Sequence, residues 1–166
     1  MRALGWALVL TCLAAPAWAG DSRSATTASS PAFQRLLTLV GDWKESAPGK
    51  GFSVKFERVA GGTALMETLT EPGGSTMVTL YHPDGAQVRL THYCDMGDQP
   101  RMKGTLNADS LRFTFVDVTG LAGPEVPHMH DLTITWSGPD HIVERWTVAS
   151  GEKRTPLVLD LKRAAS

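Results

Sequence analysis

The chain has 166 residues, with 16 Lys and Arg against 17 Asp and Glu and a hydrophobic share of 42%. This length is typical of one domain, since domains most often have about 100–150 residues. The formal charge of −1 excludes a polybasic nucleic-acid binder, and the apolar content excludes a disordered acidic tail. We therefore expect no nucleic-acid partner. We also expect that this chain is not an integral membrane protein, because no internal apolar run approaches the roughly 20 residues of a membrane-spanning helix.

The N-terminus has the organisation of a secretory signal peptide. Arg2 provides the positive start, residues 3–15 form a short apolar stretch, and Ala17-Trp18-Ala19 is a small-x-small cleavage site. We expect residues 1–19 to be this signal peptide. The mature protein is then exported, and is periplasmic or secreted.

Cleavage of the signal peptide would also determine whether the mature protein can form a disulfide. It removes Cys12 and leaves Cys94 as the only cysteine, which excludes an intramolecular disulfide. Residues 20–30 are rich in Ser, Thr and Ala without apolar periodicity, and we expect a flexible leader there. Residues 31–166 then form the folded domain, which is large enough to bury a core without disulfides.

One short segment at the start of this domain has the spacing of an amphipathic helix. Pro31 suits the first helical position, and Gly41 is a typical stop. Between them, apolar residues recur at intervals of three and four positions, namely Phe33, Leu36, Leu37 and Val40. The pattern predicts about ten residues of helix with one face against a core.

From residue 42 onward, apolar and polar residues alternate with the period of two that is typical of half-buried strands. Turn sequences such as Pro72-Gly73-Gly74 and Gly138-Pro139-Asp140 interrupt the alternation. The pattern predicts ten strands, near residues 42–46, 51–59, 63–70, 75–82, 86–94, 101–106, 110–118, 128–137, 140–149 and 155–163.

About ten antiparallel strands with short links remove their exposed edges by closing into an up-and-down barrel of about 8–10 strands. A two-sheet sandwich is the alternative, because alternation alone does not separate the two. If strand direction alternates, one end carries only tight links, near residues 60–62, 83–85, 107–109 and 138–140. The other end carries the two longest links, near 95–100 and 119–127. We therefore expect a closed end, where the helix lies, and an open mouth.

The segment Gly41-Asp42-Trp43, directly after the helix, resembles the start of lipocalin-like (calycin) barrels. In that group a Gly-x-Trp opens the first strand, and its Trp fills the closed end, often beneath an Arg from the last strand. Arg163 is separated by even numbers of residues from Leu157, Leu159 and Leu161, so it should share their inward-facing side of the last strand. It therefore matches the Arg of the calycin pattern. The resemblance implies that Arg163 stacks on Trp43, a cation–π contact of about 0.5–2 kcal/mol.

Further stretches resemble a set of secreted bacterial lipocalin-like proteins of unknown function. They comprise residues 77–82, 91–94 and 97–102 and the sequence His128-Met129-His130. With the Gly-x-Trp segment, this similarity extends over most of residues 31–163. It supports the barrel and implies no particular activity.

Alternate residues of a strand face the same side, and neighbouring strands run in opposite directions. These two rules, which we call parity and direction, predict where the polar residues gather. We expect a polar rim at the mouth, formed by His92, Cys94, Arg101, Asp117, His128 and His130. The same parity predicts an apolar interior below the rim that includes Phe113, Phe115 and Trp136. Glu144 also has inward parity, and we expect it to pair with Arg163 or another basic residue.

Three interpretations of the rim are open. It could order the long loops as a satisfied polar network, with Cys94 as a small apolar filler. It could bind the polar head of a ligand whose apolar body occupies the barrel. It could also hold a metal, since imidazole and thiolate suit zinc and the pairs His128-x-His130 and His92-x-Cys94 each present two ligands from one strand face. No standard zinc, nucleotide or hydrolase signature is present, so His92, His128 and His130 are only weak metal candidates.

The sequence thus predicts an exported lipocalin-like barrel that binds a small apolar or amphipathic molecule, without a resident cofactor. One alternative is a metal-assisted enzyme that uses the rim histidines, with zinc as the metal and Asp117 as a base. The other is a structural or interaction scaffold that has no ligand.

Overall fold

The structure is a computed structural model that describes residues 30–46 and 51–165. The signal peptide expected at residues 1–19 lies outside the described residues, as does all but the last residue of the leader. No helix of the described part is long and apolar enough to cross a membrane.

The first element is helix α1, Pro31–Leu37. Its N-terminus is capped by Ser30, whose hydroxyl accepts a hydrogen bond from the backbone N–H of Phe33 at 3.3 Å. The helix ends three residues earlier than the apolar stripe predicts, because the chain tightens after Leu37 into turns with three-residue spacing. Val40, expected on the buried face, is therefore 40% exposed.

Ten strands follow, all within two residues of the predicted boundaries. Their bounds are β1 Gly41–Glu45, β2 Ser53–Val59, β3 Ala64–Thr70, β4 Thr76–Asp84, β5 Gln87–Tyr93, β6 Gln99–Leu106, β7 Ser110–Thr119, β8 His128–Gly138, β9 His141–Ser150 and β10 Lys153–Arg163. A short 3-10 turn, Ala60–Gly62, links β2 and β3.

The strands form one closed antiparallel barrel in which each strand pairs with its neighbours in the chain. The ring is completed by β1 and β10, where Trp43 lies opposite Arg163. Closure confirms the predicted up-and-down barrel and excludes the two-sheet sandwich. The architecture is compatible with a lipocalin-like fold.

Trp43 fills the end of the barrel that carries the tight links. It is 1% exposed, and its indole Nε1 donates to the backbone oxygen of Leu39 at 2.7 Å. The guanidinium carbon of Arg163 lies 4.3 Å from the centre of the indole ring. A cation over a Trp face is a favourable electrostatic contact, which here joins the first strand to the last.

The same guanidinium also ties the end of α1 to the barrel. Arg163 donates to the backbone oxygens of Thr38 and Val40 at 2.9 and 2.8 Å, and to the carboxylate of Asp140 at 2.9 Å. Gly41 makes this approach possible, because a Cβ at that position would lie 2.9 Å from Arg163 Nη1. The Gly of the Gly-x-Trp segment is therefore favoured by its positive φ of 128°, and any larger residue would also displace the Arg163 guanidinium.

Two extra residues change the side-chain alternation near the mouth. In β7, Val116 is inserted between Phe115, which faces Met102, and Asp117, which faces Arg101. In β8, His130 is inserted between Met129 and Asp131, which face consecutive residues of β9. Such bulges reverse the parity of the residues beyond them, and this determines which predicted rim residues reach the interior.

Candidate ligand-binding site

A cavity of about 230 Å³ opens at the mouth end of the barrel interior. Its walls are mainly apolar and come from five strands or the residues next to them: Phe52, Leu69, Met77, Met129, Leu157 and Leu159. Deeper in the barrel, Glu67, His92 and Trp146 form the polar part of its floor. Of the predicted rim residues, only His92 and Cys94 line this cavity.

His92 is 4% exposed and reaches the cavity from the mouth end of β5. Its Nδ1 lies 2.9 Å from the hydroxyl of Thr79, and its ring lies 5.1 Å from that of Trp146. Its Nε2 is buried and has no hydrogen-bond partner among the described residues. Burial lowers the pKa of His92 to about 4, so the imidazole is neutral at pH 7.

Cys94 is 9% exposed and lines the cavity two residues closer to the mouth. Burial raises the pKa of its thiol to about 11. The neutral thiol is therefore the stable form at pH 7. Since zinc binds the thiolate, Cys94 is a poor metal ligand in this environment.

Two buried carboxyl groups were not among the predicted site residues. Glu67 is 1% exposed and accepts a hydrogen bond of 2.5 Å from the hydroxyl of Tyr81. Glu144 is 0% exposed and accepts one of 3.1 Å from Nε1 of Trp146. The expected ion pair of Glu144 with Arg163 is wrong, because that guanidinium binds Asp140 at the closed end.

Burial dominates the electrostatics of these carboxyls. It raises the pKa of Glu67 well above its usual value, with a further contribution from the nearby charge of Glu144. It raises the pKa of Glu144 to about 7. Two carboxyls close together in an apolar interior do not both ionise readily, so the pair retains protons at mildly acid pH.

Glu67 and His92 of the polar floor belong to one row of paired residues that crosses three adjacent strands. Glu67 on β3 lies opposite Thr79 on β4, and Thr79 lies opposite His92 on β5. A sequence signal for the first member exists, since Glu67 alternates with Leu65 and Leu69 and so has inward parity. An acid in the inward register of an otherwise apolar strand is the feature that could have identified it.

Arg101 and Asp117 do not reach the interior. Their side chains are 52% and 46% exposed and form a bidentate ion pair on the outside of the barrel, with distances of 2.5 and 2.7 Å. The predicted inward orientation of Asp117 is wrong, because the inserted Val116 reverses the parity of β7 before that residue.

His128 and His130 lie away from the cavity, beside Phe115. The imidazole of His130 stacks on the Phe115 ring at 4.4 Å, and the two imidazoles are 6.1 Å apart. His130 binds the carboxylate of Asp131 at 2.9 Å. His128 Nδ1 lies 3.0 Å from the backbone oxygen of Val126.

The three weak metal candidates do not form one site. His92 lines the cavity, whereas His128 and His130 are not among the residues that line it. Within residues 30–46 and 51–165, no group of three His, Cys, Asp or Glu side chains is placed to hold a metal ion.

The remaining two predicted interior residues lie deeper than the cavity. Phe113 is fully buried in the core, where its ring lies 5.6 Å from that of Tyr81. Trp136 lies towards the closed end, with the guanidinium of Arg35 4.5 Å from its ring centre. Both contribute to packing below the cavity, and neither lines it.

Comparison with known proteins gave no family assignment. No protein-family model matches the sequence, and no curated protein matches it significantly. The closed ten-stranded antiparallel barrel, with Trp43 and Arg163 at its closed end, is therefore the description that this chain itself supports.

Proposed function

We propose that this protein binds one small, largely apolar molecule in the mouth cavity, with a polar group of that molecule on the floor. The observation that carries the proposal is the Nε2 atom of His92, which is buried at an apolar cavity without a partner among the described residues. An unsatisfied buried polar atom costs about 1–3 kcal/mol. A ligand with a matching polar group would remove that cost.

The cavity size limits the ligand. An engineered cavity of about 150 Å³ in another protein holds benzene. By proportion, 230 Å³ suits about nine non-hydrogen atoms, the size of 1-octanol. Micromolar affinity corresponds to about 8 kcal/mol, or about 0.9 kcal/mol per atom, which is below the ceiling of about 1.5 for small ligands.

Calorimetric titration with 1-octanol tests this proposal directly. The wild type is expected to bind one equivalent, and Met77→Trp is expected to abolish binding because the larger side chain fills the cavity. Tyr93→Trp is the matched control, since Tyr93 is 45% exposed on the neighbouring strand and should leave binding unchanged. Thermal melts establish that both variants fold.

Native mass spectrometry of protein purified from its source cells gives a second, independent readout. A mass increment that is lost in Met77→Trp and retained in Tyr93→Trp would identify an occupant of this cavity. No octanol binding by the folded wild type, together with no increment, would contradict the proposal.

A further inference from the structure

The hydrogen-bond directions along the polar floor determine what kind of group the cavity can accept. The hydroxyl of Tyr81 donates to Glu67. The Thr79 side chain also hydrogen-bonds to Tyr81 and lowers the pKa of that phenol. A hydrogen bond donated to the phenol oxygen has this effect, so we assign the Thr79 hydroxyl as the donor. With its proton used in this way, Thr79 accepts from Nδ1–H of His92, at 2.9 Å.

This order fixes the tautomer of the neutral imidazole. Because Nδ1 carries the proton, Nε2 of His92 is an acceptor, on the far side of the ring from Thr79. His92 is 4% exposed and lines the cavity, so this lone pair faces a buried space. Its partner must be a donor, which excludes a carboxylate and leaves a hydroxyl or an amine.

The charges around the cavity separate these two donors. Three acidic side chains line it, Glu67 on the floor and Glu71 and Asp95 nearer the mouth. No Lys or Arg lines it among the residues that the structure describes. A site with only acidic charge attracts cations and repels anions.

The aromatic part of the floor also favours a cation. Trp146 lines the cavity, and its only donor, Nε1, is already bound to Glu144. The indole therefore offers its π system, and not its N–H, to an occupant. A cation close to a Trp ring is attracted by the negative face of that ring, and more strongly where water is excluded.

We propose that the molecule held in this cavity is an apolar amine, whose ammonium donates to His92 Nε2 and lies beside the carboxyl of Glu67. This inference rests on the proposed ligand-binding function and adds the chemical class of the ligand. The apolar body of the amine lies against Leu69, Met77 and Leu157.

The expected binding is linked to proton release. The titratable groups that face the floor are Glu67 from β3, Tyr81 from β4, His92 from β5 and Glu144 from β9. An ammonium beside Glu67 stabilises its ionised form, so the pair of carboxyls loses a proton when the amine binds. The affinity for the amine therefore rises as the pH increases from 5.5 to 8.

Calorimetric titration of the wild type with octylamine, 1-octanol and octanoate at pH 7.5 tests the inference. Octylamine is expected to bind at least about tenfold more tightly than 1-octanol, and octanoate is expected not to bind. Equal affinity for the alcohol, or tighter binding of octanoate, would overturn the amine assignment while leaving the binding function intact. No binding of any of the three would contradict the binding function itself.

Glu67→Gln tests whether the Glu67 carboxyl is the group that makes octylamine bind more tightly than 1-octanol. This variant is expected to keep its affinity for 1-octanol and to lose about tenfold in affinity for octylamine. Glu57→Gln is the control, because Glu57 is a partly exposed acid that pairs with Lys55 outside the cavity. If Glu67→Gln does not fold, the wild type still decides the matter. Octylamine titrations in buffers of different ionisation enthalpy must show proton release, and its absence would refute the inference.

Discussion

Glu144→Gln provides the sharpest test of the buried electrostatics. Glu144 is fully buried, and its pKa is raised to about 7 by that burial. Glutamine retains an oxygen that can accept the hydrogen bond from Trp146 and removes the titrating proton. The substitution therefore changes the pH dependence of stability while it preserves the local packing.

The sign follows from proton binding. Below pH 4.5, Glu144 is protonated in both the folded and the unfolded chain, and its ionisation does not affect stability. Between pH 4.5 and about 7, the folded barrel holds a proton that the unfolded chain has lost, so wild-type stability falls as the pH rises. At about 1.4 kcal/mol per pH unit, the loss is about 3 kcal/mol, complete above pH 7.

His92 acts in the opposite direction and offsets part of this effect in the wild type. Its pKa is lowered by burial from 6.5 to about 4, so the folded barrel holds fewer protons than the unfolded chain in that interval. Its contribution to stability is lost as the pH falls from 6.5 to 4. His92 therefore opposes Glu144 between pH 4.5 and 6.5, while Glu67, whose pKa is also raised, acts in the same direction as Glu144. Only a difference between variants isolates Glu144.

Urea unfolding at pH 4.5 and pH 8 measures that difference. The free energy of unfolding of Glu144→Gln relative to the wild type should be about 3 kcal/mol more favourable at pH 8 than at pH 4.5. The contribution of His92 is common to both proteins and cancels. The pKa of Glu67 falls when the charge of Glu144 is removed, which changes the relative stability in the same direction. Glu152→Gln, at an exposed turn, should show no such change. The same relative stability of Glu144→Gln at both pH values would mean that burial does not raise the pKa of Glu144.

Three further predictions concern other parts of the molecule. Trp43→Ala should lower the free energy of unfolding by about 3–5 kcal/mol in urea melts, and a loss below about 1 kcal/mol would show that Trp43 does not hold the closed end together. Cys94 should react slowly with a thiol reagent in the folded protein and rapidly after unfolding, whereas rapid native labelling would place the thiol on the surface. Replacement of His128 and His130 together by Gln should leave metal content and melting temperature unchanged, and loss of one stoichiometric zinc would instead establish a metal site.

The fold could be predicted in detail because two local signals agree along the chain. Period-two alternation predicts the strands, and Gly-, Pro- and Asp-rich turns mark where each one ends. Because most links are short, each strand pairs with its neighbour in sequence, and closure removes the two remaining edges. The contact between Trp43 and Arg163 shows where that closure takes place.

The site could be predicted only in part because its position depends on two inserted residues. Parity correctly brings His92 and Cys94 to the cavity, since β5 pairs without interruption. Beyond Val116 and His130 the prediction fails, because it assumes uninterrupted alternation and each extra residue shifts that alternation by one position. Each strand does carry a sequence signal for its bulge, because the apolar positions change phase there: Phe115 is followed directly by Val116, and Met129 stands three positions before Leu132.

The polar floor divides the barrel into a closed half that stabilises the fold and a mouth half that contains the cavity. Towards the closed end, Phe113 and Trp43 belong to an apolar core that is filled by side chains and tied together by Arg163. Towards the mouth, the space above Glu67 and His92 is left open. Stability depends mainly on close packing, while binding depends on unfilled space beside an unsatisfied polar atom. Substitutions in the closed half should therefore change stability with little effect on affinity, and those that line the cavity should do the reverse.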